Sequence, residues 1–250
     1  CMIQQAKTRR MDNEDVETAE SSSFRSPLLG CQLVRRGILH EEDSLERFRV
    51  KDAPSKVYVI DDFVLPEVAG ELMKTIQRFP HYKVLRGARR TLPLRIGVKE
   101  CGGLLDHLAE ELVTSLPQLK ELFNDGNPGL NHALVNDYER GCGGIMPHTD
   151  GPAYYPVVMI ISLGSATVLQ FGKSPDDQEA QVLLPARSLL IFNDEAYHEY
   201  LHSIPFNDTS IDAQWADGRD LGDSIVTDGV LHRGGRLSIT LRRALVPSLK

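Results

Sequence analysis

The first periodic apolar positions are Val57, Tyr58, Val59 and Ile60, a β-rich run, followed by Val68, Leu72, Ile76 and Phe79 at helical spacing behind Pro66. A second stripe of the same period joins Leu104, Leu105, Leu108, Leu112, Val113 and Leu116. Two amphipathic helices are expected there. From Asn131 onward the pattern shortens to runs at 133–138, 157–163, 166–171, 181–184, 188–192 and 236–242, separated by Gly, Pro, Asn and Asp. Such runs predict strands. Helices followed by many strands imply an α+β arrangement in which a β-sandwich is backed by N-terminal helices.

Residues 1–45 lack this periodicity. They are polar, with the run Ser21-Ser22-Ser23 and the acidic Glu41-Glu42-Asp43, and read as a disordered extension before a domain over residues 46–250. Residues 207–229 interrupt the strands with Asp208, Asp212, Asp217, Asp220, Asp223 and Asp228 around the single tryptophan, Trp215. This stretch reads as an acidic loop insertion.

Composition narrows the function. Hydrophobic residues at 41% and charged residues at 25% are ordinary for a globular chain, and no apolar run approaches the ~20 residues of a membrane helix. No membrane partner is expected. A formal charge of -7 excludes holding nucleic acid by overall charge, so a polyanion has to be met by a local basic patch. Cys1, Cys31, Cys101 and Cys142 form no C-x-x-C pair and are too sparse for a disulfide scaffold, which points to a reducing compartment. Residues 1–30 show neither an apolar signal core nor transit-peptide character, so nucleus and cytoplasm are the expected locations.

The candidate chemistry centres on Pro147-His148-Thr149-Asp150-Gly151. In extended backbone, residues i and i+2 project to the same side, so His148 and Asp150 can offer an imidazole and a carboxylate to one point. With one more histidine they make the facial ligand set of non-haem Fe(II) oxygenases. The later candidates are His198, His202 and His232, of which His202, between Leu201 and Ser203-Ile204 and shortly after an apolar strand, is favoured. In 236–242, alternation places Arg236, Ser238, Thr240 and Arg242 on one face and Leu237, Ile239 and Leu241 on the other. Turned inward, such a guanidinium can clamp a carboxylate. Asn136 and Tyr138, again two apart, add donors for a small acid.

In order, Asn136/Tyr138, His148/Asp150, His202 and Arg236/Arg242 form N-x-Y, H-x-D, a distal H and R-x-x-x-x-x-R. Here the chain resembles the AlkB-type Fe(II)/2-oxoglutarate-dependent dioxygenases, with residues 145–156 and 161–165 most similar to the AlkB homologue six branch. The resemblance implies a double-stranded β-helix, that is, a jelly-roll or cupin-like core. It implies Fe(II) bound by His148, Asp150 and His202, and 2-oxoglutarate held by Asn136, Tyr138, Arg236 and Ser238, with Arg236 on the distal carboxylate. Arg242 would lie beside the cosubstrate and the open iron face as a catalytic residue. The implied reaction consumes O2 and 2-oxoglutarate, releases succinate and CO2, and hydroxylates an N-alkyl carbon of nucleic acid, which then leaves as an aldehyde.

Family members that flip bases carry an aromatic-bearing lid between the first helix and the core. In this chain that interval, residues 83–99, contains Arg86, Arg89, Arg90 and Arg95 but no aromatic. Phosphate contact is expected from Arg86, Arg89 and Arg90, and stacking from Tyr154 and Tyr155, on RNA or DNA, by a monomer. The other readings are an AlkB-like nucleic-acid-binding protein with little turnover, an oxygenase acting on a protein side chain, and a zinc hydrolase on the same three ligands. The last has no use for a dicarboxylate clamp.

Overall fold

A computed structural model describes residues 26–40, 42–85, 89–97, 100–140 and 143–245. The first half carries β1 (Val57–Ile60), α1 (Pro66–Gln77), β2 (Lys83–Leu85), β3 (Arg89–Arg95) and α2 (Leu104–Ser115). The second carries β4 (His132–Tyr138), β5 (Ile145–His148), β6 (Val157–Gly164), β7 (Thr167–Gly172), β8 (Ala180–Leu184) and β9 (Leu189–Asn193). A short α3 (Glu195–His198) leads to β10 (Leu201–Ile204), β11 (Thr209–Ser210), β12 (Ile225–Thr227), β13 (Val230–His232) and β14 (Arg236–Arg242).

A seven-stranded sheet runs β1-β9-β6-β14-β4-β3-β2 and a four-stranded sheet runs β5-β10-β7-β8. Every registered pair in both is antiparallel. The two sheets face each other across Val158, Ile160, Leu169, Phe171, Leu184, Phe192 and Ile204. The alternate side chains of the large sheet, among them Val135, Ile161, Ile191, Ile239 and Leu241, turn outward and bury against α1 and α2. The helices supply the matching stripes, Leu72 and Ile76 from α1 and Leu104, Leu108 and Leu112 from α2. Helix α1 opens with Pro66 in its first turn, where the missing N–H has no intrahelical role. The expected helix-backed jelly roll, a double-stranded β-helix, is the observed fold.

Two expectations need correction. Residues 26–40 and 42–45 are not a disordered extension, because Leu28, Leu33, Val34, Ile38, Leu39 and Leu45 are buried in the outer core. This segment has no helical or strand period of its own. It is held by the Glu111 carboxylate of α2, which accepts the backbone N–H groups of Leu33 at 2.6 Å and Val34 at 3.3 Å. Residues 1–25 of the expected extension lie outside the described residues.

The acidic stretch 207–229 is not a solvated loop either. It contributes two strands to a small sheet ordered β11-β13-β12 and closes an apolar cluster of Ala166, Val168, Leu183, Ile211 and Leu231, with Trp215 partly buried against it. Its aspartates make turns and ion pairs. Asp212 accepts from the Gln214 N–H at 2.9 Å, and Asp220 accepts from Arg187 Nε at 2.6 Å.

Candidate active site

His148 closes β5 and His202 lies on β10, directly opposite it in register. The pairing sets the two rings 4.3 Å apart between centroids with their planes tilted by 50°, and Asp150 follows on the turn beyond β5. That turn is pinned from below by Tyr197 of α3, whose Oη donates to the Gly151 carbonyl at 2.6 Å. One donor atom from each of His148, Asp150 and His202 lies within 4.8 Å of the others. Such a group could hold a metal ion.

The hydrogen bonding suits that use. The Met146 carbonyl sits 2.9 Å from His148 Nδ1 and can only accept, so Nδ1 carries a hydrogen and Nε2 is the ring nitrogen left to meet a ligand. His202 is buried, with Phe192 at 5.1 Å between centroids. Burial, then His148 and Arg242, push its pKa well below the ordinary imidazole value and keep the ring neutral. Asp150 uses Oδ1 to accept from Arg242, while its Oδ2 is buried without a hydrogen-bond partner. A buried carboxylate oxygen with nothing to satisfy it, beside the buried neutral His202 and the ring of His148, fits a divalent cation.

Opposite stands the wall made by β14 and β4, whose register pairs Arg236 with Tyr138 and Ser238 with Asn136. Their polar side chains face a cleft enclosing about 450 Å³ of empty space, open solvent at its mouth included, which also takes in His148, Asp150 and His202. Leu134, Ile160, Leu169 and Leu184 supply its apolar lining. Arg236 is only 4% exposed and donates through Nη2 to Ser162 Oγ at 2.8 Å, while its Nε and Nη1 have no partner. Burial lowers its pKa. A guanidinium so placed, with no carboxylate beside it among the described residues, offers two donors to an incoming anion.

The other expected residues divide. Arg242 clamps Asp150, and its Cζ lies 3.9 Å from the centroid of the Tyr154 ring, so Tyr154 does reach the site. His132 packs against Tyr154 at 5.1 Å, and burial followed by Arg242 lowers its pKa from 6.5 to about 4. Tyr155 points the other way, stacking on Phe123 at 4.7 Å and accepting from the Asn124 N–H. Arg89 and Arg90 also fail as one patch. Arg90 turns to Asp137 and the Tyr82 ring, whereas Arg89 Nη1 donates to Asn136 Oδ1 at 3.1 Å. Neighbours on a strand leave opposite faces, which splits Arg89 from Arg90 on β3. Arg86 lies outside the described residues. His198 is exposed and His232 is bound to Asp208 at 2.8 Å.

Ser162, Tyr197 and the Met146 carbonyl were not singled out by sequence. Ser162 reads as one more position of an apolar strand, and the other two act through contacts between distant segments.

The profile of the 2OG-Fe(II) oxygenase superfamily matches residues 64–242. Over 216 residues the chain is 32% identical to "Probable RNA/DNA demethylase ALKBH6" of Danio rerio, covering 79% of this chain and 89% of that one. Over 159 residues it is 33% identical to the "tRNA (carboxymethyluridine(34)-5-O)-methyltransferase ALKBH8" of Mus musculus, of which it spans 21%. A solved structure titled "The structure of OsALKBH1" aligns with a TM-score of 0.47 and 14% identity over 75% of this chain and 98% of that one. Because the matched span runs from before α1 to the last residue of β14 and takes in both walls of the cleft, the chain belongs to the 2OG-Fe(II) oxygenase superfamily, as an AlkB-type dioxygenase that works with Fe(II), 2-oxoglutarate and O2.

Proposed function

We propose that this enzyme removes N-alkyl groups from nucleic acid by oxidation, with His148, Asp150 and His202 as the ferrous-ion ligands. Asn136, Tyr138, Arg236 and Ser238 hold 2-oxoglutarate, and Arg236 takes the distal carboxylate. The observation that carries this reading is Asp150 Oδ2, buried and unpartnered beside His148 and His202, across a cleft from Arg236, whose Nε and Nη1 have no partner. When bound, ferrous ion with 2-oxoglutarate would supply the electrons that activate O2, which is the oxidant.

The protein's own residues do the rest. His148 is fixed in one tautomer by Met146, and Arg242 holds Asp150 by Oδ1 so that Oδ2 stays available. The apolar lining keeps bulk water from the reacting centre. One oxygen atom of O2 enters succinate as CO2 departs, and the other becomes the hydroxyl of N–CH2OH. That hemiaminal breaks its C–N bond, returning N–H and releasing an aldehyde. Support for nucleic acid as the substrate comes from the names of the relatives, two of which refer to RNA, DNA or tRNA, and from Tyr154. Its ring lies against Arg242, the residue that clamps Asp150, which sets an aromatic next to the candidate metal ligands for base stacking.

The test is coupled product formation on N-methylated oligonucleotides. Wild-type protein is expected to release succinate and formaldehyde in equal amounts, and His148→Ala neither. Succinate formed without formaldehyde on every methylated RNA and DNA tried would overturn the substrate assignment. Succinate formation that survives His148→Ala would overturn the ligand set.

A further inference from the structure

We infer that Arg89 is a positioning residue for the cosubstrate: its guanidinium locks the side-chain amide of Asn136 with the nitrogen turned toward the carboxylate of 2-oxoglutarate. The inference rests on the reading of Asn136 as a 2-oxoglutarate donor.

Strand β3 pairs with β4 so that Thr91 faces Asn136 and Arg89 faces Tyr138. Arg89 is thus the diagonal neighbour of Asn136 on the cleft side of the sheet, within reach of a long side chain. Its Nη1 donates to Asn136 Oδ1 at 3.1 Å. A guanidinium can only donate, and a primary amide has one oxygen and one NH2. With the oxygen taken by Arg89, the NH2 must point away from it. Asn136 is buried and lines the cleft, and no protein acceptor meets its Nδ2 among the described residues. The flipped amide would set its oxygen against the oxygens of a carboxylate.

No fold-stabilising ion pair accounts for Arg89. Arg90 next to it is held by the buried Asp137, but Arg89 has no carboxylate partner among the described residues, and its Nε is buried without an acceptor. Its one side-chain bond among them is the one that orients Asn136. An amide fixed before the ligand arrives spends less rotational freedom on binding, so the lock should appear as affinity.

The experiment uses the full chain loaded with Mn(II) as a redox-silent metal and measures 2-oxoglutarate binding by titration calorimetry. Arg89→Met, which keeps the aliphatic stem, is expected to weaken binding by about tenfold, the effect of one well-placed hydrogen bond. Mn(II) affinity and thermal midpoint should stay as in wild type, and Arg89→Lys should recover part of the loss. In an Asn136→Ala background, Arg89→Met should add less than about twofold, because the partner through which it acts is gone. Wild-type affinity in Arg89→Met, or an equal loss with and without Asn136, would overturn the positioning role, the second result indicating direct attraction of the anion. Absence of 2-oxoglutarate binding by wild-type protein would instead defeat the cosubstrate reading of Asn136, and the inference with it.

Discussion

The two oxygens of the Asp150 carboxylate have different surroundings, Oδ1 accepting from Arg242 and Oδ2 buried with no partner. Asp150→Asn keeps the shape but removes the charge, and leaves Arg242 uncompensated in a buried position. Metal affinity, read by competition with a chromogenic chelator, is expected to fall on the order of 100-fold, while Arg242→Met, which disturbs only the orientation, should lose nearer tenfold. His132 makes a second residue-scale prediction. Its pKa of about 4 in the folded chain lies below the 6.5 of the unfolded one, so the unfolded state binds more protons between these values. The stability tied to His132 is present above pH 6.5 and drains away as the pH falls toward 4. Buried His202 acts with the same sign in metal-free protein. The thermal midpoint of apoprotein should therefore drop between pH 7 and pH 5, and His132→Phe should flatten that drop. An unchanged slope in the variant would contradict the burial argument.

At the scale of the element, β14 serves two environments. Its Leu237, Ile239 and Leu241 face the helices, and Arg236, Ser238 and Thr240 face the cleft. Ile239→Ala is expected to cost about 2–5 kcal/mol in urea unfolding, leaving the 2-oxoglutarate affinity of the folded fraction intact. Arg236→Met should do the opposite, keeping or raising stability by removing an unpaired buried charge while abolishing 2-oxoglutarate binding. If both variants lost stability alike, the strand would not divide its roles in this way. The alternation that separates these faces was legible in the sequence over the full strand, 236–242, and so were both helices. Strands β5 and β10 fall outside the expected runs. Each has only four residues, and β5 contains Pro147, so their extended form comes from pairing with each other rather than from local pattern.

For the molecule as a whole, the acidic excursion is part of the packed body. Gly222, at a φ of +57°, lies against the carbonyl of Gly164 so closely that any Cβ there would collide with it. Gly222→Ala should therefore destabilise the chain by about 2 kcal/mol or more in chemical denaturation. A change within about 0.5 kcal/mol would mean the excursion is a loosely attached flap. Its frequent aspartates concealed this, since Ile211, Trp215 and Leu231 bury against strands β7 and β8, which precede them by tens of residues. The burial of residues 26–40 and 42–45 against α2 was concealed in the same way.

The sequence by itself nominated the candidate ligand chemistry: a histidine and a carboxylate two residues apart can reach one point, and the period of a strand sets Arg236 with Ser238 and Asn136 with Tyr138. Tertiary structure alone decided which later histidine completes the set and which way the flanking residues point. His202 faces His148 through strand register, Arg89 and Arg90 part to opposite sides of a sheet, and Tyr154 turns to Arg242 while Tyr155 turns to the outer core. Local spacing constrains atoms a few ångströms apart along the backbone. Contacts across strands depend on register, which is set by the burial of whole faces and is carried by no single segment.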